Sequence, residues 1–213
     1  MLRPTILNTL NQSYPDFTYA IGLKLDNIHD NFNHKLLIDD IVDARIVYSE
    51  GINNKHCLSH FNNMNTIKTV ENYEGYDVFI KMDDDDIYKK DYVKNIVEFF
   101  EANKDVDIVS SKIRAQLNNY TTTVHIAEGF EGLGKVYETD DYKMPMTYAF
   151  NNKALKAIID LTIEEAEGCF DDMIWRLKWR ENNLKHAEVD NKDNIIWNIH
   201  GGNASTGNFF KPE

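Results

Sequence analysis

Four consecutive aspartates, Asp83 to Asp86, close the apolar run of VFIKMDDDDIY, residues 78–88. Carboxylates this close raise one another's pKa unless a positive charge sits among them. The run before them reads as a strand. In an extended backbone Asp83 and Asp85 point one way, and Asp84 and Asp86 the other. A D-x-D pair on one face suits a hard divalent ion with oxygen ligands, Mg²⁺ or Mn²⁺. The plainer alternative is a solvated acidic turn in which Asp86 caps the following helix. A calcium loop of the EF-hand type does not fit, because its sixth position lacks glycine.

A second constellation is CFDDMIWRLKWRENN, residues 169–183. Phe170, Met173, Ile174 and Leu177 fall at i, i+3, i+4 and i+7, the signature of a helix with one buried face. Asp171 and Asp172 sit in its first turn, where the helix dipole favours negative charge. They are either dipole-friendly acids, with Asp172 paired to Arg176 one turn on, or one of them is a general base facing a site. His200 ends IIWNIH just before Gly201 and Gly202. It is either structural or a metal ligand reached through permissive backbone. Trp175 and Trp179, one turn apart, are core residues by default, and flat faces for a sugar ring (with Trp197, Tyr142 and Tyr148) in the alternative reading. The glycines of GFEGLG, residues 129–134, mark a candidate acceptor-side loop. They join no strand to a helix and so are no phosphate-binding fingerprint.

The elements that must position these residues alternate along the first half. A helix is expected over Thr5 to Gln12, a strand over Tyr19 to Leu25 and a weak helix from His34 to Ile41. A strand over Arg45 to Tyr48 and a polar helical stretch from Lys55 to Asn72 follow. Then come the strand Val78 to Met82, a helix with Tyr92, Val93, Ile96, Val97 and Phe100 on one face, and a strand over Val106 to Ser110. Alternation of this kind predicts an α/β fold, a mostly parallel central sheet flanked by helices. In such sheets ligands bind at the carboxyl ends of strands, where Asp83 begins. Beyond Lys112 the pattern changes to a small β-rich ribbon, then a strand over Thr147 to Phe150, helices over Lys153 to Leu161 and from Phe170, and a last strand ending at His200. One domain over residues 1–213 is expected. Residues 1–111 would form a nucleotide and metal half, and 112–213 an acceptor and catalytic-base half.

Composition agrees with a folded chain of 213 residues, 42% hydrophobic and 12% aromatic. The net charge of −12 leaves no basic footprint for nucleic acid. An anionic small molecule would need a cation as intermediary. Cys57 and Cys169 match no metal or redox spacing and read as thiols of a reducing compartment, an expectation of cytoplasmic location. Neither a signal peptide nor a membrane span is legible.

Taken in order, these pieces resemble the GT-A glycosyltransferases, in particular the inverting family-2-like group. Met82 to Tyr88 looks like that group's strand-terminal D-x-D motif. Counting from Asp172, a basic residue six positions on (Lys178) and a turn residue five further (Asn183) match its acid-headed helix. The stretch LNTLNQSYPDFTYAIGL is similar to its first helix and second strand. The resemblance spans most of the chain and departs at one point: family members usually begin with an apolar strand, absent ahead of the first helix here.

The resemblance implies a metal-dependent transfer of sugar, with inversion, from a nucleotide-diphosphate donor such as a UDP-sugar to a hydroxyl of a carbohydrate or glycan acceptor. Asp172 would be the general base. Asp85, His200 and Asp83 would hold Mn²⁺ or Mg²⁺. Asp83, Asp84, Lys81 and Asp26 would contact the donor, Asp26 being otherwise a turn residue. Trp175, Trp179 and Asp171 would stand on the acceptor side. Two other classes share parts of the pattern: a haloacid-dehalogenase-like phosphotransferase, and a non-catalytic metal-dependent sugar-binding module.

Overall fold

Successive residues of the strand Ile108–Ser111 are all buried, which requires cover on both of its faces. A computed structural model, describing residues 2–23, 40–50, 58–84, 86–111, 115–118, 123–126, 147–166, 171–191 and 193–199, shows how that cover is built. In chain order the elements are α1 (Leu2–Leu10), β1 (Tyr19–Leu23), β2 (Ile46–Glu50), α2 (Leu58–Lys68), β3 (Val78–Ile80), β4 (Ile87–Tyr88), α3 (Tyr92–Ala102) and β5 (Ile108–Ser111). The second half supplies β6 (Ala115–Asn118), β7 (Thr123–Ile126), β8 (Tyr148–Asn151), α4 (Asn152–Lys156), α5 (Ile163–Ala166), α6 (Asp171–Glu181), β9 (His186–Val189) and β10 (Ile195–Ile199).

The central sheet has the order β3-β8-β5-β9. β8 runs antiparallel to both β3 and β5, and β9 runs parallel to β5. Strands β3, β5 and β9 therefore share one direction, as the β3–α3–β5 crossover demands. β8 is wedged between them in reverse. This corrects the expectation of a mostly parallel sheet: a strand from the second half enters the first half's sheet. The other sheets are β1-β2, parallel, and β4-β10-β6-β7, which contains the antiparallel β6–β7 ribbon.

Side chains of the central sheet alternate between two cores, as strand geometry requires. Ile108, Tyr148 and Phe150 face a cluster with Leu155, Ile158, Ile174, Trp175 and Trp179. Val109 and Ala149 face Tyr88, Tyr92, Val93, Ile96 and Phe100. Helix α6 thus covers one face and α3 the other. Each such fully buried large apolar side chain contributes roughly 1.5–3 kcal/mol. The α3 face is the expected one. Its N-cap is Asp91 rather than Asp86, because β4 intervenes between the aspartates and the helix. Asp86 is buried instead.

Gln12 ties α1 to this framework. Its amide oxygen accepts from Val93 N–H (3.0 Å), one of α3's orphan donors, and its amide nitrogen donates to Lys89 O (2.8 Å). Helix α4 ends at Lys156, shorter than expected, and Ile158 and Ile159 continue as a turn with both N–H groups on Leu155 O. Helix α6 closes as the Asp172 count implied: Asn183 adopts φ 52°, and Leu184 N–H reaches back to Trp179 O (3.0 Å).

Candidate functional site

Lys81 follows β3 directly, and its N–H donates to Tyr148 O (2.8 Å), so the β3–β8 ladder holds its backbone. Helix α6 is set over the same strands by aromatic packing. Trp175 and Trp179 stand 5.7 and 5.5 Å from Phe150, and Trp179 is 5.1 Å edge-on from Tyr148. Trp179 Nε1 donates to Ala154 O (2.9 Å), and Trp175 Nε1 to His60 Nδ1 (2.8 Å). Both indoles are buried, at 1% and 0% exposure, which corrects the sugar-stacking alternative. They anchor the helix, and Tyr148 is likewise buried. Of Trp197, only the strand that carries it is described.

That anchoring brings the first turn of α6 onto Lys81. The ammonium lies 3.0 Å from the Asp83 carboxylate and 3.5 Å from that of Asp171. Burial alone would lower the Lys81 pKa; Asp83, Asp171 and Asp172 outweigh it and raise it. The positive charge among the acids is therefore supplied by the chain itself. Asp171, buried, also accepts from Asn63 Nδ2 of α2 (2.8 Å). Asp83 N–H donates to the buried Tyr88 hydroxyl (2.7 Å), fixing the backbone as it leaves the strand. Asp84 is exposed, and its carbonyl accepts from Thr5 Oγ1 of α1 (2.7 Å).

Asp172 differs from its neighbour. Its Oδ1 accepts from Met173 N–H (2.9 Å) at the helix start. Burial first, and then the charge of Asp171, raise its pKa, against lowering by Lys81 and Arg176. A half-buried carboxylate of raised basicity is suited to accepting a proton. Near it lie two buried donors without a hydrogen-bond partner among the described residues, Tyr148 Oη and Arg176 Nη1. Both interact electrostatically with Asp172. Buried orphan donors mark a place for water or a ligand's acceptor atom.

The structure thus brings together Lys81, Asp83, Asp171 and Asp172, and leaves Asp84 turned to solvent. Asp85, His200 and Asp26 lie outside the described residues. Among the described residues, no three His, Cys, Asp or Glu side chains form a metal cluster. Of the three expected metal ligands only Asp83 is described, and its carboxylate and that of Asp171 converge on the Lys81 ammonium. Sequence reasoning missed Asn63 and Tyr88 as site residues, and it read Tyr148 as a possible sugar face and Arg176 as an ion-pair partner of Asp172, not as buried donors. Only Arg176 carried a signal of its place here, its i+4 spacing from Asp172.

No protein-family model matches the sequence, and no curated protein matches it. Solved structures do. Over 94% of its length the chain superposes on S. aureus TarS with a TM-score of 0.63 at 13% identity, spanning 34% of that chain. Over 97% it superposes on a CMP:2-keto-3-deoxy-manno-octonic acid synthetase complexed with CTP, with a TM-score of 0.52 at 10% identity and 82% of that chain covered. The chain shares the α/β fold of these two structures. No described helix is long and apolar enough to cross a membrane.

Proposed function

We propose that this chain is a glycosyltransferase that moves a sugar from a nucleotide-diphosphate donor, a UDP-sugar, to an acceptor hydroxyl with inversion. The observation that carries the reading is the convergence of the β3 end, Lys81 and Asp83, with the acid-headed start of α6, Asp171 and Asp172. It occurs in a fold whose neighbours include nucleotide-using transferases.

Lys81 presents an ammonium to the donor's phosphates once they displace part of its carboxylate contact. Asp83, with Asp85 and His200, would hold Mn²⁺ or Mg²⁺. Such an ion, when bound, neutralises the diphosphate and stabilises charge on the departing nucleotide. Asp84 and Asp26 remain candidate donor contacts. Asp171, tied to Asn63 and Lys81, positions the helix start. Asp172 takes the acceptor's proton as the hydroxyl oxygen attacks the anomeric carbon from the side opposite the leaving group. Tyr148 Oη and Arg176 Nη1 supply donors for oxygens bound there.

A non-catalytic sugar-binding module would use the acids that follow β3 but has no need of a carboxylate raised in basicity. A dehalogenase-like phosphotransferase is disfavoured by the fold. Calorimetry with UDP, with and without Mn²⁺, tests the donor reading. Metal-dependent binding is expected, and UDP binding that ignores Mn²⁺, or is absent, contradicts it.

A further inference from the structure

Helix α2 reaches the first turn of α6 through two side chains, His60 and Asn63, which at i and i+3 share one face. Their partners, Asp171 and Trp175, at i and i+4, share one face of α6. His60 Nδ1 accepts from Trp175 Nε1 (2.8 Å), and Asn63 Nδ2 donates to Asp171 Oδ2 (2.8 Å). A helix held at one point can still turn about its axis. Held at two points a turn apart, it neither turns nor slides without breaking a bond.

The imidazole sits there at a cost. His60 is buried, and its Nε2 has no hydrogen-bond partner among the described residues. With Nδ1 accepting, the neutral ring carries its proton on Nε2, so a buried donor goes unpaired. An apolar side chain of similar size would avoid that cost. What the imidazole adds is an acceptor for Trp175, and burial keeps it neutral and able to accept down to about pH 4.

The clamp decides between two neighbouring acids. Successive residues of a helix are about 100° apart around its axis, so Asp171 and Asp172 compete for one place beside Lys81. The Lys81 ammonium lies 3.5 Å from Asp171 Oδ2, the oxygen that Asn63 holds. Asp172 Oδ1 accepts instead from Met173 N–H. We propose that His60 and Asn63 are positioning residues that set the rotation of α6, committing Asp171 to Lys81 and leaving Asp172 to act as the base. The inference rests on the proposed function for what Asp172 does, and on geometry alone for which acid meets Lys81.

The test uses the full chain with His60→Leu and Asn63→Leu, which each remove one bond. His60→Asn serves as the conservative variant, since its amide oxygen can accept near the Nδ1 position. Carboxyl-carbon NMR titration of Asp171 and Asp172 reads the geometry without turnover. Transfer from a UDP-sugar, with Asp171→Asn or Asp172→Asn added to each background, reads the consequence. In the Leu variants the Asp172 midpoint is expected to fall as Lys81 is shared. The excess loss of transfer by Asp172→Asn over Asp171→Asn should shrink by about tenfold or more, and His60→Asn should retain both properties. Asn63 is only half-buried, so Asn63→Leu carries the test where His60→Leu does not fold. An unchanged Asp172 midpoint in folded Asn63→Leu overturns the proposal, as does an undiminished difference between the two acids in transfer. Asn63 also lines a cavity of about 950 Å³ with Lys81 and Asp83. Lost UDP affinity with that difference intact would therefore make it a ligand contact, and also overturns the proposal. No turnover of any UDP-sugar by the wild type contradicts the proposed function, while the titrations still decide the clamp.

Discussion

The Lys81 ammonium lies between Asp83 and Asp171, residues 88 positions apart (171 − 83), at 3.0 and 3.5 Å. One internal cation therefore joins the acidic strand end to the acidic helix start. Removing it would leave two partly buried carboxylates facing each other.

Lys81→Met should accordingly destabilise the protein, by about 3–5 kcal/mol where a buried ion pair loses one partner. A divalent ion should recover part of the loss. Thermal melts in EDTA and in millimolar Mn²⁺ measure both effects. A variant that melts with the wild type in EDTA, or gains no more than the wild type from Mn²⁺, would show that the acids do not share one cation site.

The two-residue alternation of the aspartate run sets a second expectation. Asp85→Ala abolishes Mn²⁺-dependent UDP binding, whereas Asp84→Ala, at a side chain that faces solvent, is much milder. His200→Ala lowers Mn²⁺ affinity on the order of tenfold or more if its imidazole completes the site. Calorimetry with Mn²⁺ and UDP reads all three. Equal losses at positions 84 and 85 would place the D-x-D register elsewhere.

His60 links folding to pH. Burial lowers its pKa to about 4 from an ordinary 6.5, and its Nδ1 accepts from Trp175 Nε1. The unfolded chain binds this proton below pH 6.5, while the folded chain resists it until about pH 4. The stabilisation is thus complete above 6.5 and is lost as pH falls across that window, by about 1.4 kcal/mol per pH unit. Urea midpoints at pH 7.5 and 4.5 should show a larger loss for the wild type than for His60→Gln. Equal losses would mean that His60 does not carry the effect.

Local signals in the sequence were strong where one element decides the outcome. The buried face of α3 and the acidic opening of α6 follow from spacing within a dozen residues, while the turn at Asn183 was implied only by the family resemblance. What spacing cannot reach is pairing. Lys81 meets Asp171 only because β8 inserts between β3 and β5 and carries α6 with it on Phe150. Trp175 and Trp179 match a sugar platform as well as a core on the sequence alone; the β8 face decided for the core. Gly22 gave no local signal either. A Cβ there would stand 2.3 Å from Thr66 Oγ1, a contact between β1 and α2 visible only once they pack.

The central claim is that Asp172 accepts a proton during sugar transfer. Asp172→Asn keeps its size and the bond from Met173 N–H while removing basicity near neutral pH. The decisive measurement is transfer, using the UDP-sugar that the wild type turns over, by Asp172→Asn and Asp171→Asn beside their UDP·Mn²⁺ affinities. The account predicts near-wild-type affinity for Asp172→Asn with transfer lowered by about 10²–10⁴, and a smaller loss of transfer for Asp171→Asn. Transfer by Asp172→Asn near the wild-type rate, or no turnover of any UDP-sugar by the wild type, would contradict it.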